Sequence, residues 1–302
     1  MKSKDWLAFG LLGLVWGSSF LWIKVAVAEV GPFTLVAWRL LFGLAALAAV
    51  VAVRRPAMPR DRRTLAALAL LGITNTAVPF ALISWGEQSI DSAVASILNG
   101  TVPLFTMVIA HLALHDDRMT LPRVVGLVTG FIGVVVLMSR DIGPQGIAHG
   151  VLGQAAVLAA AVFYAGSSVF ARRNLRQVSP VVQAFLPLIT ADAFVWTGAL
   201  MTESSNLVPQ TGTTWVALAW LGVLGSCVAY LLYFGLLQSV GPTRATLVTY
   251  VFPVVGVALG VIFLGERLDL NLALGAALVV AGIGAVNWKP RMVPVPAASA
   301  GE

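Results

Sequence analysis

Long apolar runs broken by short polar joints dominate the chain, and hardly any stretch alternates with the period of a half-buried strand. A helix that crosses a bilayer needs about 20 apolar residues, because the hydrocarbon core is about 30 Å thick and the rise about 1.5 Å per residue. Ten segments meet that length: 5–27, 33–53, 64–86, 91–114, 119–139, 147–172, 179–201, 212–239, 241–264 and 268–288. The joints near Gln88-Ser89 and Gln238-Ser239 are so short that the helices they connect must be antiparallel neighbours. Asp91 or Ser92 can cap the fourth helix, and Pro242 suits the first turn of the ninth. Residues 290–302, rich in proline and small residues, read as a disordered tail.

The pattern also repeats. With an offset of 150, Thr64–Gly72 falls on Thr214–Gly222, Gln88-Ser89 on Gln238-Ser239, and Pro103 on Pro253. After one residue is dropped, Asp117-Arg118 meets Glu266-Arg267, Gly126 meets Gly275, and Gly133 meets Gly282. Near the start, Gly17-Ser18-Ser19 meets Gly166-Ser167-Ser168. Residues 1–143 and 144–289 therefore read as two five-helix repeats. An odd number of spans makes the second repeat enter the membrane from the opposite side. Inverted repeats of this kind place a substrate site near the midplane and alternate its access.

Composition agrees with a lipid-solvated chain: 59% of residues are hydrophobic and 11% charged, against about 25% charged in soluble domains. The net charge of +6 does not imply nucleic acid, because the basic residues cluster in the joints. Lys2, Lys4, Arg54, Arg55, Arg60, Arg62, Arg63, Arg118, Arg123, Arg172, Arg173, Arg176, Arg244, Lys289 and Arg291 fall on one side, and only Arg140 and Arg267 on the other. Under the positive-inside rule both termini are then cytoplasmic. Lys2, Lys4 and Ala26-Val27-Ala28 imitate a secretory signal, but the segment belongs to the repeat and reads as a retained first helix. Cys227, alone in an apolar run, reads as a small buried hydrophobe.

Trp16-Gly17-Ser18-Ser19-Phe20, Arg39, Pro103 and Leu264-Gly265-Glu266-Arg267-Leu268, with glycines in the tenth helix, resemble the EamA-type transporters of the drug/metabolite transporter superfamily. The resemblance covers about residues 5–288. It implies an all-α polytopic membrane protein with ten helices in two inverted bundles around a central cavity. It further implies export of small metabolites, often amino acids, from the bacterial cytoplasm, and within the family the aromatic amino-acid exporters are similar. Nucleosides, sugars or cationic compounds are the alternative cargo. The acidic-arginine pair differs between halves, His-Asp-Asp-Arg against Gly-Glu-Arg, so a lock built on it need not act equally in both.

Polar and aromatic residues deep in the spans are the candidates for a substrate cavity: Trp16, Asn75, Pro79, Phe80, Asn99, Tyr164, Ser168, Tyr230 and Tyr250. They offer apolar walls with a few hydrogen-bonding groups. Lys24, Arg39, Asp192 and Glu87 are candidates for gating or proton coupling, since ionisable groups in lipid are costly. With Glu29 they offer the charges for an ion-pair network in the outer half of the membrane, although for Lys24 and Glu29 snorkelling and neutralisation is the favoured alternative. Pro103 and Pro253 are matched candidate hinges. The pairs Gly13/Gly17, Gly126/Gly130 and Gly256/Gly260 suit close helix packing.

No Gly-rich nucleotide loop and no Cys/His metal spacing occurs, so no cofactor is expected. His115-Asp116-Asp117 lacks a second ligand cluster, and Ser167 and Ser168 lack an evident base. An intramembrane enzyme and a channel are therefore the weaker readings. The expected partners are a small-molecule substrate and the lipid bilayer of a bacterial inner membrane. The sequence sets no oligomeric state.

Overall fold

The computed structural model describes residues 3–113, 120–139, 142–143, 146–147, 149–240 and 246–287. The tail, Asp117-Arg118 and the start of the ninth segment lie outside these residues. Helices make up the fold: α1 (Ser3–Val27), α2 (Pro32–Arg54), α3 (Arg62–Gly86), α4 (Ser92–Ala113), α5 (Leu121–Ser139), α6 (His149–Asn174), α7 (Pro180–Thr202), α8 (212–240), α9 (Val251–Leu264) and α10 (Leu270–Asn287). Between α5 and α6, Ile142–Gly143 and Gly146–Ile147 form a two-residue antiparallel ladder.

Among the described residues eight helices are long and apolar enough to cross a membrane, by length and composition. The ninth and tenth expected spans appear as shorter apolar helices, Val248–Leu264 and Leu270–Ala285. The start of α10 is capped locally, where the Asp269 carboxylate accepts the Leu272 amide at 2.8 Å. Large apolar side chains cover the outside of the bundle, such as Ile262 and Phe263, exposed by 70% and 67%. Water would penalise such a surface and lipid does not.

Contacts between the first five helices and the last five come in matched sets. α1 packs on α8 and α9, while α6 packs on α3 and α4. α2 meets α8 as α7 meets α3. α2 with α7, α4 with α9, and α5 with α10 complete the interface. Glycines bring these helices together, as their spacing suggests. A Cβ on Gly13 would press on Val251, one on Gly17 on Val255, and one on Gly256 on Ser96. At Gly133 it would sit 2.8 Å from both the Gly275 carbonyl and the Val279 amide.

Four helices are irregular, in two matched pairs. α3 carries a π-helical turn at Ile73–Ala77, and α8 carries one at Trp220–Val228. The cause in α3 is Pro79, which has no N–H to offer the Asn75 carbonyl. α8 has no proline there, and Ala229 N–H reaches back five residues to Leu224 O. α4 is interrupted at Gly100 and Thr101, just before Pro103, and α9 follows a 3-10 turn, Thr246–Tyr250, just before Pro253. The two breaks meet, since a Cβ on Gly100 would lie 3.2 Å from Pro253 Cγ.

Besides the local Asp269 cap, three carboxylates fasten helix starts in the other half of the chain, on the face where α1, α3, α7 and α9 end. Glu203 accepts the amides of Phe33 (3.0 Å) and Thr34 (2.8 Å) at the start of α2. Glu266 accepts those of Ser92 (2.7 Å) and Ala93 (2.9 Å) at the start of α4. Glu29 accepts from the amides of Gln210 and Thr211 and from the hydroxyls of Thr211 and Thr214 at the start of α8. Each joins the two halves of the chain, and each satisfies amides that no helix can satisfy itself. Gly265, at φ 67°, supplies the left-handed turn that ends α9 immediately before Glu266.

The expected outer ion-pair network is not what forms. Lys24 Nζ donates to the backbone carbonyls of Glu87 (2.6 Å) and Ile90 (2.7 Å) at the end of α3. Glu29 binds backbone and hydroxyl donors. The charged groups go to helix ends because orphan amides and carbonyls are concentrated there, and a fixed dipole is a better partner than a distant side chain.

Two predictions follow from packing and clamping. Gly133→Leu should destabilise the detergent-purified protein by about 1–3 kcal/mol, read as a lower melting temperature, whereas Gly10→Leu should leave it unchanged because nothing lies within 4 Å of Gly10. Hydrogen bonds, first from Thr211 and then Thr214, lower the Glu29 pKa from 4.5 to about 2. A depressed carboxylate pKa stabilises the fold above the ordinary value and ceases to do so as pH falls towards the depressed one. The melting temperature of wild type should therefore exceed that of Glu29→Gln at pH 6, and the gap should shrink as pH drops below about 4.5.

Candidate functional site

Where the irregular part of α8 meets α1, α2 and α3, polar groups turn inward. The π turn widens α8 and leaves carbonyls free of the regular helical pattern. Trp16 of α1 uses one of them, its Nε1 donating to Gly225 O at 3.0 Å. Ser226 uses another, its hydroxyl donating to Leu221 O at 3.2 Å. The same hydroxyl accepts Arg39 Nε at 3.3 Å. Arg39 is 4% exposed, and its guanidinium carbon lies 3.8 Å above the centre of the Phe80 ring.

The repeat makes these contacts intelligible. Thr76 and Ser226 occupy matched places in the two π turns, and Phe80 and Tyr230 follow four residues later in each. Ser226 binds Arg39, and Thr76 hydrogen-bonds Tyr230. Tyr164 from α6 is within electrostatic reach of both Tyr230 and Arg39. Trp16 packs edge-on to Tyr230, with centroids 6.2 Å apart, and to Phe252 at 5.9 Å, and lies tilted 5.5 Å from Tyr233. The result is an aromatic box from α1, α3, α6, α8 and α9 beside one cation on α2: Phe80 touches Arg39, Tyr164 and Tyr230 lie within its electrostatic reach, and Trp16 joins through Tyr230 and brings Tyr233 and Phe252 with it.

Of the cavity residues expected from sequence, Trp16, Phe80, Tyr164 and Tyr230 come together here. Pro79 is buried beside them as the source of the α3 π turn. Asn75 lies within that turn, half-buried. Asn99 is 9% exposed at the break in α4, and its Oδ1 has no hydrogen-bond partner among the described residues. Two residues are engaged elsewhere. The Tyr250 hydroxyl donates to Ile283 O at 2.6 Å and fastens the start of α9 to α10. Ser168 is exposed and bonds back to Tyr164 O at 2.8 Å, whereas its neighbour Ser167 donates to Thr74 in the α3 π turn at 2.9 Å. Helical geometry turns adjacent residues about 100° apart, so sequence adjacency did not decide which serine faces inward.

The ionisable residues divide. Arg39 joins the box. Lys24 and Glu87 lie above it, towards the carboxylate-clamped face. Glu87 is fully buried, one residue beyond the end of α3, with neither carboxylate oxygen hydrogen-bonded among the described residues. Burial pushes its pKa well above the usual carboxylate range; Lys24 and Arg39 oppose that shift and Glu266 adds to it. Asp192, on α7, is 9% exposed with Oδ1 unpartnered, and it belongs to neither group. Cys227 is buried and free, as a small core residue. Ser19 falls in the matched Gly-Ser-Ser, whereas the hydrophobic pattern carries no sign of Gly225, Ser226, Tyr233 or Phe252. For Ser226 the signal is its matched position with Thr76.

Three relatives align along most of their length. An uncharacterized transporter of Bacillus subtilis (strain 168), YoaV, is 23% identical over 274 residues, covering 89% of this chain and 92% of that protein. The uncharacterized inner membrane transporter YedA of Escherichia coli (strain K12) is 28% identical over 292 residues, covering 94% and 93%. A probable amino-acid metabolite efflux pump of Salmonella typhimurium (strain LT2) is 28% identical over 294 residues, covering 94% of each. A crystal structure 23% identical in sequence superposes with a TM-score of 0.68 over 95% of this chain and 98% of the other, a likeness of fold. The EamA-like transporter family matches twice, at residues 5–139 and again at 151–288. With both matches together spanning nearly all of its length, this chain belongs to the EamA-like transporter family.

Proposed function

We propose that the protein is a secondary carrier that exports small metabolites, amino acids foremost, across a bacterial cytoplasmic membrane by alternating access. Two inverted five-helix repeats with cytoplasmic termini form the carrier. The observation that carries this reading is the aromatic box beside Arg39, which draws on both halves at the matched irregular turns of α3 and α8. The double family match, the matched helix contacts and the two proline-associated breaks support the inverted repeat. The resemblance to the Salmonella protein named a probable amino-acid metabolite efflux pump supports amino acids and their metabolites as cargo.

On this reading the three carboxylate clamps hold the outer face shut, with Lys24 and Glu87 beneath them. Opening that face lets water reach Glu87, and water favours its ionised form. Glu87 is then a proton site that links closure to pH, and Pro103 and Pro253 mark where α4 and α9 bend.

Purified protein in liposomes should show saturable amino-acid flux that is accelerated by counterflow. Non-saturating flux driven by voltage would instead identify a channel, and no saturable flux of any amino acid would remove that cargo class. Trp16→Ala should lower the flux at least about tenfold, since it deletes both the bond to Gly225 O and three ring contacts.

For Glu87 the sign is that of a raised acid. The closed face gains most below the ordinary carboxylate value of about 4.5 and loses that gain as pH rises through the raised one. In a Cys227→Ser background, maleimide labelling of Ile90→Cys, a buried position, should accelerate with pH more steeply than labelling of free glutathione, whose rate rises only with its thiolate fraction. Adding Glu87→Gln should remove that excess and leave the pH dependence of the free thiol. Unchanged pH dependence in that variant would remove Glu87 as the proton site.

A further inference from the structure

A guanidinium is charged at every physiological pH and offers five N–H donors in a planar fork. Arg39 is 4% exposed, yet among the described residues only its Nε makes a hydrogen bond, to Ser226. Phe80 covers one face of the group, and Nη1 and Nη2 make no hydrogen bond among the described residues. Beside Nη2 stands Gly225, which has no side chain. A Cβ built there would lie 3.5 Å from Ser19 Oγ, 3.6 Å from Arg39 Nη2 and 3.9 Å from Trp220 O, all ordinary contact distances, so the missing side chain leaves a gap the size of a methyl group next to the fork.

Among the described residues, no carboxylate touches this cation directly. Glu266 is bound to the start of α4. Glu87 is within electrostatic reach, but its carboxylate makes no described hydrogen bond, and Lys24 weighs on it more strongly than Arg39 does. A buried charge needs a partner that supplies both opposite charge and hydrogen bonds. A carboxylate fits a guanidinium edge with two parallel bonds.

We propose that the edge of Arg39 binds the carboxylate of the transported molecule, with the Tyr164 and Tyr230 hydroxyls beside it and an apolar or aromatic body lying along Trp16 and Phe252. The cargo class is therefore carboxylates and zwitterions rather than cations or neutral sugars. This assignment rests on the carrier reading, and it deepens it.

The test uses the purified full-length protein and two pairs of probes: L-phenylalanine with L-phenylalaninamide, and 3-phenylpropionate with 3-phenylpropanamide. Binding is read by ligand-dependent thermal shift and flux in liposomes. On wild type at least one carboxylate should bind at least about tenfold more tightly than its amide, the scale of a charge-assisted bidentate contact. Arg39→Gln should abolish that preference, and Arg39→Lys, which keeps the charge without the fork, should restore part of it. A wild type on which neither carboxylate exceeds its amide overturns the assignment without recourse to any variant. So does a folded Arg39→Gln protein that keeps the preference. Saturable amide flux with no carboxylate preference would leave the carrier standing and remove this role of Arg39. Carboxylate binding that depends on Arg39, with no flux of either probe, would do the reverse.

Discussion

In lipid a backbone amide or carbonyl has no water to turn to, so each must find its partner within the protein. That constraint organises the whole molecule. Regular helices satisfy it by themselves over most of the chain. The exceptions are few and are placed in matched pairs: the π turns of α3 and α8, and the breaks in α4 and before α9. Each exception frees or displaces backbone groups that something else must use. At the α8 turn those users are Trp16 and Ser226, which is how an indole and a guanidinium come to be fixed at the junction of the two halves. The candidate site is thus a by-product of how irregular backbone is made tolerable at that depth.

The same constraint operates at helix ends. Glu29, Glu203 and Glu266 satisfy starting amides in the opposite half of the chain, and Lys24 satisfies terminal carbonyls of α3. These contacts need no side-chain partner of opposite charge. A clamp of this kind is strong when the helix start is presented to it and vanishes when the start moves away, because the dipole's influence is confined to the first turn. The Leu-Gly-Glu-Arg stretch has a plain physical sense in this light. Gly265 makes the left-handed turn, and Glu266 reaches across to α4.

Much of the fold was legible in the pattern of apolar positions, and part of the site as well. Trp16, Phe80, Tyr164 and Tyr230 are recognisable because large polar aromatics deep in a span are unusual. Tyr250 has the same character yet serves to fasten α9 to α10. Ser168 repeats the motif position of Ser19 but faces away. The difference lies in side-chain direction, and where a π turn inserts an extra residue the helical period no longer predicts direction. Glycine contacts were more legible than polar ones, since small residues at helical spacing admit close approach whatever the neighbour.

The length of the apolar runs by itself determined the membrane environment and the approximate apolar helices, because these depend on the solvent each residue must meet and on the length needed to cross it. The tertiary structure decided which charges meet which partners. Lys24, Glu29 and Arg39 all looked like members of one ion-pair network. Their real partners are carbonyls, amides, a serine and a ring face, brought from up to 187 positions away in the chain. A strongly distance-dependent interaction is settled by which groups come within a few ångströms of each other, and that is a property of the packed bundle, which linear order does not contain.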